Sequence, residues 1–264
     1  MHVTATTAPT TAPGLVDRLW RVNDYVMHRL PGGAGLIQPR QVINLAKFGV
    51  GPLTLGLMLG YQNFTLAAWL YLALHGLYGI LWVAKDVAFG DPGWTGRASL
   101  TSGLAVFVFP LGGYFMAPLI LLTPLGHAIP GGWGTAATLP LPVAFAAVFC
   151  FSLGVFFTFV SDAQKFFVLK HQRPRQLITD GMFALTRNPN YFGEVLIYGS
   201  FNLLAQHWLP WAICGFVWVQ VFLVNMVRKE RSMSRYPEHA EWVKRTGFFF
   251  PSIAGLVKGI RKAF

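Results

Sequence analysis

Residues 140–160 read PLPVAFAAVFCFSLGVFFTFV and carry no charged side chain. Such a run is typical of a transmembrane helix, because crossing the hydrocarbon core of a bilayer takes about 20 residues. The sequence therefore predicts an all-α integral membrane bundle of about six to seven transmembrane helices. The other candidate spans are 43–60, 65–84, 99–123, 191–206 and 209–227, and 191–206 is short for a full crossing. In chain order, residues 140–160 form the fourth of the six spans.

The chain is expected to form a single membrane domain over residues 15–264. Residues 1–14 are rich in Thr, Ala and Pro and lack the features of a secretory signal, so they are predicted to be a disordered tail. Residues 15–30 place apolar and basic positions at helical spacing, which predicts a helix in the membrane interface. Cys150 and Cys214 lie in apolar stretches and are interpreted as core packing, with no metal site expected.

The composition excludes several classes of protein. Hydrophobic residues make up 54% of the chain and charged residues 12%, about half the charged fraction of an ordinary soluble domain. The net charge is +11, from 21 Lys and Arg against 10 Asp and Glu, and in a soluble protein this would favour nucleic acid as a partner. The apolar stretches argue against nucleic acid, so we expect membrane lipids as the surroundings of the chain.

Basic residues are distributed unevenly over the predicted loops. They precede or begin the first span and follow the second, fourth and sixth, whereas the loops after the first, third and fifth contain none. Because Lys and Arg mark cytoplasmic loops, this pattern predicts six spans with both termini in the cytoplasm. It also predicts that segments 161–190 and 228–264 share one face, where they would receive an anionic cofactor or only contact anionic lipid.

The polar sequence RNPNYFGE at 187–194 stands directly before an apolar stretch. Asn188 is suited to cap a helix through its side-chain oxygen, and Pro189 suits the first helical position. Those roles do not explain Asn190, Tyr191 and Glu194, which fall on one broad helix face. A carboxylate one turn into a membrane helix is costly to bury without a partner, so it indicates a functional site or a structural pair with a loop arginine.

These motifs resemble the C-terminal domain of membrane steroid 5-alpha-reductases and sterol reductases. The resemblance covers about residues 150–255 and rests on RNPNYFGE, on DGMF at 180–183, on KERSMSRYPEHAEWVKRTGFFFP at 229–251, and on the pair Ser161-Asp162. It implies a substrate-side half, residues 15–140, and a cofactor-binding half, residues 141–264.

The resemblance also implies an activity. NADPH would bind in a cytoplasmic-facing pocket, and hydride would pass to an activated C=C bond, an enone, in a steroid or other hydrophobic lipid. Carboxylates and amides suit ribose and carboxamide groups, and guanidinium groups suit phosphate. The cofactor contacts that the resemblance implies are Asp162, Arg187, Asn190, Tyr191, Glu194, Arg228 and Tyr236.

Polarisation of the substrate carbonyl needs a further group, and the reductases are understood to use a Tyr with a carboxylate on a neighbouring helix. His75 and Tyr78 lie three apart on one helix face in LHGLYG (74–79), and Tyr78 is the candidate proton donor. The first two predicted spans contain no Asp or Glu, so Asn44, Gln62 or a residue from elsewhere would orient Tyr78. The alternative is that both are satisfied polar groups between helices.

Two further hypotheses remain open. Arg187, Pro189, Tyr191 and Gly193 also fit the looser pattern of isoprenylcysteine-type membrane methyltransferases, which use S-adenosylmethionine. The third hypothesis, after the reductase and the methyltransferase, is a non-enzymatic lipid-binding protein in which the polar cluster is structural. The substrate stays open among steroid, sterol, fatty enoyl and polyprenyl chains.

Overall fold

A computed structural model describes residues 14–32, 35–134, 136–171, 176–253 and 257, and these form an all-helical bundle. The predicted fold class is confirmed, and residues 1–13 of the predicted tail, 1–14, lie outside the described residues. No β-strand occurs in the described part of the chain, which has three isolated bridges. The helices are α1 (Leu15–His28), α2 (Pro39–Tyr61), α3 (Leu66–Phe89), α4 (Leu100–Val108), α5 (Met116–Leu122), α6 (Leu125–Ala128), α7 (Leu141–His171), α8 (Pro189–Ala205), α9 (Trp208–Val217), α10 (Val224–Met233) and α11 (His239–Arg245).

Within the described ranges, five helical stretches are long and apolar enough to cross a membrane. They are α2, α3, Leu100–Leu122, α7 and Trp208–Met233. The span predicted at 191–206 is α8, which begins at Pro189 as expected but has 17 residues, fewer than the roughly 20 of a full crossing. It stops at Gln206, whose φ of 50° is left-handed. All six predicted stretches are therefore helical, but α8 is shorter than a full span.

Two of the spanning stretches are interrupted. Pro110 has no N–H to donate and its ring disfavours the preceding helical turn, so α4 ends at Val108 and a 3-10 turn, Leu111–Phe115, leads into α5. Between α9 and α10 the backbone forms the π-helical turn Trp218–Leu223. Both irregular segments contribute residues to a cavity described below.

The basic segments meet at one end of the bundle. Lys85 near the end of α3 pairs with Asp162 of α7, with 2.5 Å between Nζ and Oδ2. Arg187, ahead of α8, pairs with Glu230 of α10 at 3.0 Å. The loop before α7 bridges to the α8–α9 turn at the other end. The structure thus brings the basic segments together, and the compartment that this end faces stays a prediction.

Helices α7 and α8 approach each other closely. A methyl group placed on Gly193 of α8 would lie 2.5 Å from the carbonyl oxygen of Gly154 in α7 and 2.6 Å from a second backbone atom of that helix. Small residues permit such close approach between membrane helices. The packing holds the first turns of α8, which carry Asn190 and Glu194, against α7.

Gly193→Ala is expected to lower the free energy of unfolding by about 1–3 kcal/mol, because two of the three nearest atoms belong to the α7 backbone and cannot turn aside, whereas only the Thr158 hydroxyl is a side-chain atom. Gly49→Ala in α2 is the matched control, since a methyl group there meets no atom within 4 Å and alanine favours a helix. Thermal unfolding of both purified variants in detergent measures the difference. Equal unfolding midpoints would contradict the close packing.

Candidate functional site

A cavity of about 420 Å³ extends from the basic end of the bundle into the membrane helices. Its outer wall comes from loops and helix ends and includes Asp91, Gln176 and Arg235, whereas its inner wall includes Val106 and Val217. Small-molecule sites commonly have volumes of about 300–1,000 Å³. A single cavity therefore joins a polar entrance to an apolar interior.

Five of the predicted cofactor contacts line this cavity. Three of them, Asn190, Tyr191 and Glu194, lie in the first two turns of α8, and the other two come from α7 and the segment after α10. Their role as cofactor contacts stays a prediction, but the structure does bring them to one wall. The five are Asp162, Asn190, Tyr191, Glu194 and Tyr236.

The cavity wall carries charges of both signs. Three acidic residues, Asp91, Asp162 and Glu194, belong to it. Among the described lining residues the cations are Lys47, Lys165, Lys229 and Arg235. A wall of this kind offers cations to phosphate groups and carboxylates to hydroxyl groups.

The first residues of RNPNYFGE bind the C-terminal tail instead of lining the cavity. Arg187 is 8% exposed, and its guanidinium donates to a carboxylate oxygen of Glu230 and to the carbonyl oxygen of Thr246. The Asn188 side chain donates to the carbonyl oxygen of Phe248 at 2.8 Å and makes no capping hydrogen bond. The predicted cap is therefore wrong, because the bond from the amide nitrogen to Phe248 turns the Asn188 side chain toward the tail and leaves its oxygen, the capping atom, without a hydrogen bond.

Arg228 lies outside the cavity wall as well. Its guanidinium carbon is 3.4 Å from the ring centre of Trp20 in α1, which is a cation–π contact. The structure thus brings neither Arg187 nor Arg228 to the cavity, because one holds the tail and the other packs on α1. Lys165 and Arg235 supply positive charge to the outer wall instead, whereas Lys229 donates to the carbonyl oxygen of Arg187.

His75 lies in the core between α3 and α8. It is 2% exposed, its Nδ1 lies 2.8 Å from the Tyr71 hydroxyl, and its ring stacks on Phe201 with 3.9 Å between ring centres. The described wall of the cavity does not include His75. Its contacts match the alternative of a satisfied polar group between helices.

Tyr78 is fully buried and meets the cavity through Lys47. The Lys47 ammonium donates to the Tyr78 hydroxyl at 2.8 Å, and Lys47 is part of the cavity wall whereas Tyr78 is not. Neither predicted partner orients Tyr78. Asn44 donates to Asp86 at 2.7 Å, and Gln62 donates to a carbonyl oxygen of its own helix.

Sequence reasoning missed Lys47. This residue is 5% exposed, and its Nζ lies 3.6 Å from Oε2 of Glu194 and 3.3 Å from the ring centre of Trp82. The signal was present, because a lysine inside the apolar stretch 43–60 is costly to bury and indicates function by default. The pair predicted for Glu194 exists, but with a lysine of α2 and not with a loop arginine.

The chain matches a known protein family over half of its length. A family model described as "Protein of unknown function (DUF1295)" matches residues 114–246, which is half of the chain. The chain belongs to the DUF1295 family. An uncharacterized protein of the fission yeast Schizosaccharomyces pombe is 39% identical over 51 residues, which cover 19% of this chain and 17% of that protein.

The DUF1295 segment covers one part of the cavity wall. It runs from Tyr114 to Thr246 and so includes α7, α8 and the tail that returns to Arg187. Lys47 and Tyr78 lie outside the matched segment. The DUF1295 segment therefore supplies most of the polar entrance, to which Asp91 is added from outside the segment, and α2 supplies the buried lysine.

Proposed function

We propose that this DUF1295 membrane protein reduces the activated C=C bond of a lipid enone with NADPH as the hydride donor. The observation that carries the proposal is the single cavity, in which Asn190 and Glu194 of α8 share a wall with apolar side chains of other helices. A charged cofactor and a hydrophobic substrate can meet only where two such surfaces join.

The residues of the outer wall suit NADPH chemically. Lys165 and Arg235 offer cationic donors for phosphate, and both residues line the cavity. Asp162 and Asn190 offer a carboxylate and an amide for ribose hydroxyls and a carboxamide. These groups would bind and orient the cofactor, which supplies hydride once bound.

The inner wall suits a hydrophobic substrate such as a lipid or a steroid. Ile43, Val106, Leu111 and Val217 line it, and burial of apolar surface contributes roughly 25 cal/mol per Å² to binding. Negative charge develops on the carbonyl oxygen of an enone as hydride arrives, so a donor beside that oxygen lowers the barrier. The hydrogen-bonded pair of Lys47 and Tyr78 would supply this polarisation.

The test compares two cofactors on the purified protein. NADPH at about 100 times its dissociation constant should stabilise the fold by about 2.7 kcal/mol, because only the folded state binds it. Thermal unfolding with NADPH and with S-adenosylmethionine measures this. A rise in midpoint with S-adenosylmethionine alone would favour the methyltransferase hypothesis, and no rise with either would favour a non-enzymatic lipid-binding protein.

A further inference from the structure

The ammonium group of Lys47 lies in a box of aromatic rings within the membrane helices. Its Nζ is 3.3 Å from the ring centre of Trp82, 4.9 Å from that of Tyr78 and 5.5 Å from that of Tyr198. Aromatic faces attract cations, and the attraction is strongest where water is excluded. The box holds the ammonium in one place.

The box is itself held in place. The Trp82 indole nitrogen donates to Oδ1 of Asn44 at 3.1 Å, and Asn44 donates in turn to Asp86. The Trp82 ring also packs on Trp94 with 5.9 Å between ring centres. Supporting contacts of this kind keep a functional group within a narrow range of positions.

The cavity lies on the open side of this box. Lys47 lines the cavity together with Glu194, which is 3.6 Å away, whereas Tyr78 is 0% exposed and lies behind the lysine. A substrate in the cavity therefore meets the ammonium before the phenol.

We propose that Lys47 donates the proton to the substrate carbonyl oxygen and that Tyr78 positions Lys47, an inference that rests on the proposed function. Hydride addition to the β-carbon, which oxidises the cofactor, forms a C–H bond. The π pair of the C=C bond moves between the α-carbon and the carbonyl carbon, and the π pair of the C=O bond moves to the oxygen. A Lys47 N–H bond then breaks as the O–H bond of an enol forms. The enol rearranges to the saturated ketone, and water entering the cavity reprotonates the Lys47 amine.

The first measurement needs neither cofactor nor turnover. 4-Nitrophenol mimics the oxyanion and changes its absorbance when it ionises. It should bind to the cofactor-free protein as phenolate at a pH where it is largely neutral in solution, because the Lys47 ammonium stabilises the anion. Lys47→Met should lose this signal and Lys47→Arg should retain part of it. Lys244→Met is the control, since Lys244 lies on α11, pairs with Glu241 and does not line the cavity.

The second measurement follows enone reduction. Lys47→Met should lower the turnover rate about 100-fold or more, the usual contribution of a positioned proton donor, while the thermal shift with NADPH persists and shows that the variant folds. Tyr78→Phe should cost less. In Lys47→Ala, added methylamine should restore part of the rate, which a purely structural lysine would not allow.

The outcomes separate the two proposals. An unchanged phenolate signal in Lys47→Met, or a larger loss of turnover in Tyr78→Phe than in Lys47→Met, would overturn the role of Lys47 and leave the reductase proposal standing. A wild-type protein that shows no thermal shift with NADPH would overturn the reductase proposal itself, and the role of Lys47 in it.

Discussion

Arg187→Met is expected to destabilise the protein by about 3 kcal/mol, because it removes the arginine partner of a largely buried ion pair and leaves the Glu230 carboxylate with the His239 ring as its remaining side-chain partner. The Arg187 guanidinium donates to Glu230 at 3.1 Å and to the carbonyl oxygens of Thr246 at 2.8 Å and Val243 at 3.3 Å. The substitution therefore leaves buried acceptors without donors where the tail joins the start of α8. Unfolding by denaturant in detergent, followed by circular dichroism, measures the loss.

Arg228→Met is the matched control for this loss. Arg228 contacts the Trp20 ring, and a cation–π contact at such a site contributes about 0.5–1 kcal/mol. The double variant with Glu230→Leu should recover part of the stability lost in Arg187→Met, because it removes the carboxylate that has lost its arginine partner. Equal losses in the two single variants would contradict the structural role assigned to Arg187.

Glu194→Gln is expected to weaken NADPH binding by about 10- to 100-fold. A hydrogen bond to a charged group contributes about 1.5–3 kcal/mol, and each 1.4 kcal/mol corresponds to a factor of about ten. The glutamine keeps the shape of the side chain and an acceptor for the Lys47 ammonium, so the fold should persist. Titration of NADPH, followed by intrinsic tryptophan fluorescence, gives the dissociation constant.

The matched control for Glu194→Gln is Glu241→Gln. Glu241 lies on α11, has an exposed side chain and pairs with Lys244 at 2.6 Å, so its replacement should leave NADPH affinity unchanged. The same affinity in Glu194→Gln as in the wild-type protein would remove Glu194 from the cofactor site. It would then favour a purely structural pair between Glu194 and Lys47.

The motif RNPNYFGE shows which roles a local sequence pattern can predict and which it cannot. Helical spacing correctly placed Asn190 and Glu194 on one face, because the period of a helix is a property of the local backbone. The roles of Arg187 and Asn188 could not be obtained in this way. Their partners lie more than forty residues away in the chain, at Glu230 and Phe248.

The contacts of Lys47 also could not be predicted from a local sequence pattern. A lysine in an apolar stretch is visible in the sequence. Its position beside Glu194 and within hydrogen-bond distance of Tyr78 depends on how α2 packs against α3 and α8.

The sequence by itself determined the all-helical membrane class, the positions of the six apolar stretches and the grouping of the basic segments, because hydrophobicity and charge act over contiguous residues. Only the tertiary structure decided which charged residues face the cavity and which bind the tail. It also decided that Lys47 partners Tyr78. Ion pairs and buried hydrogen bonds join residues distant in the chain, so the packing of the helices selects their partners.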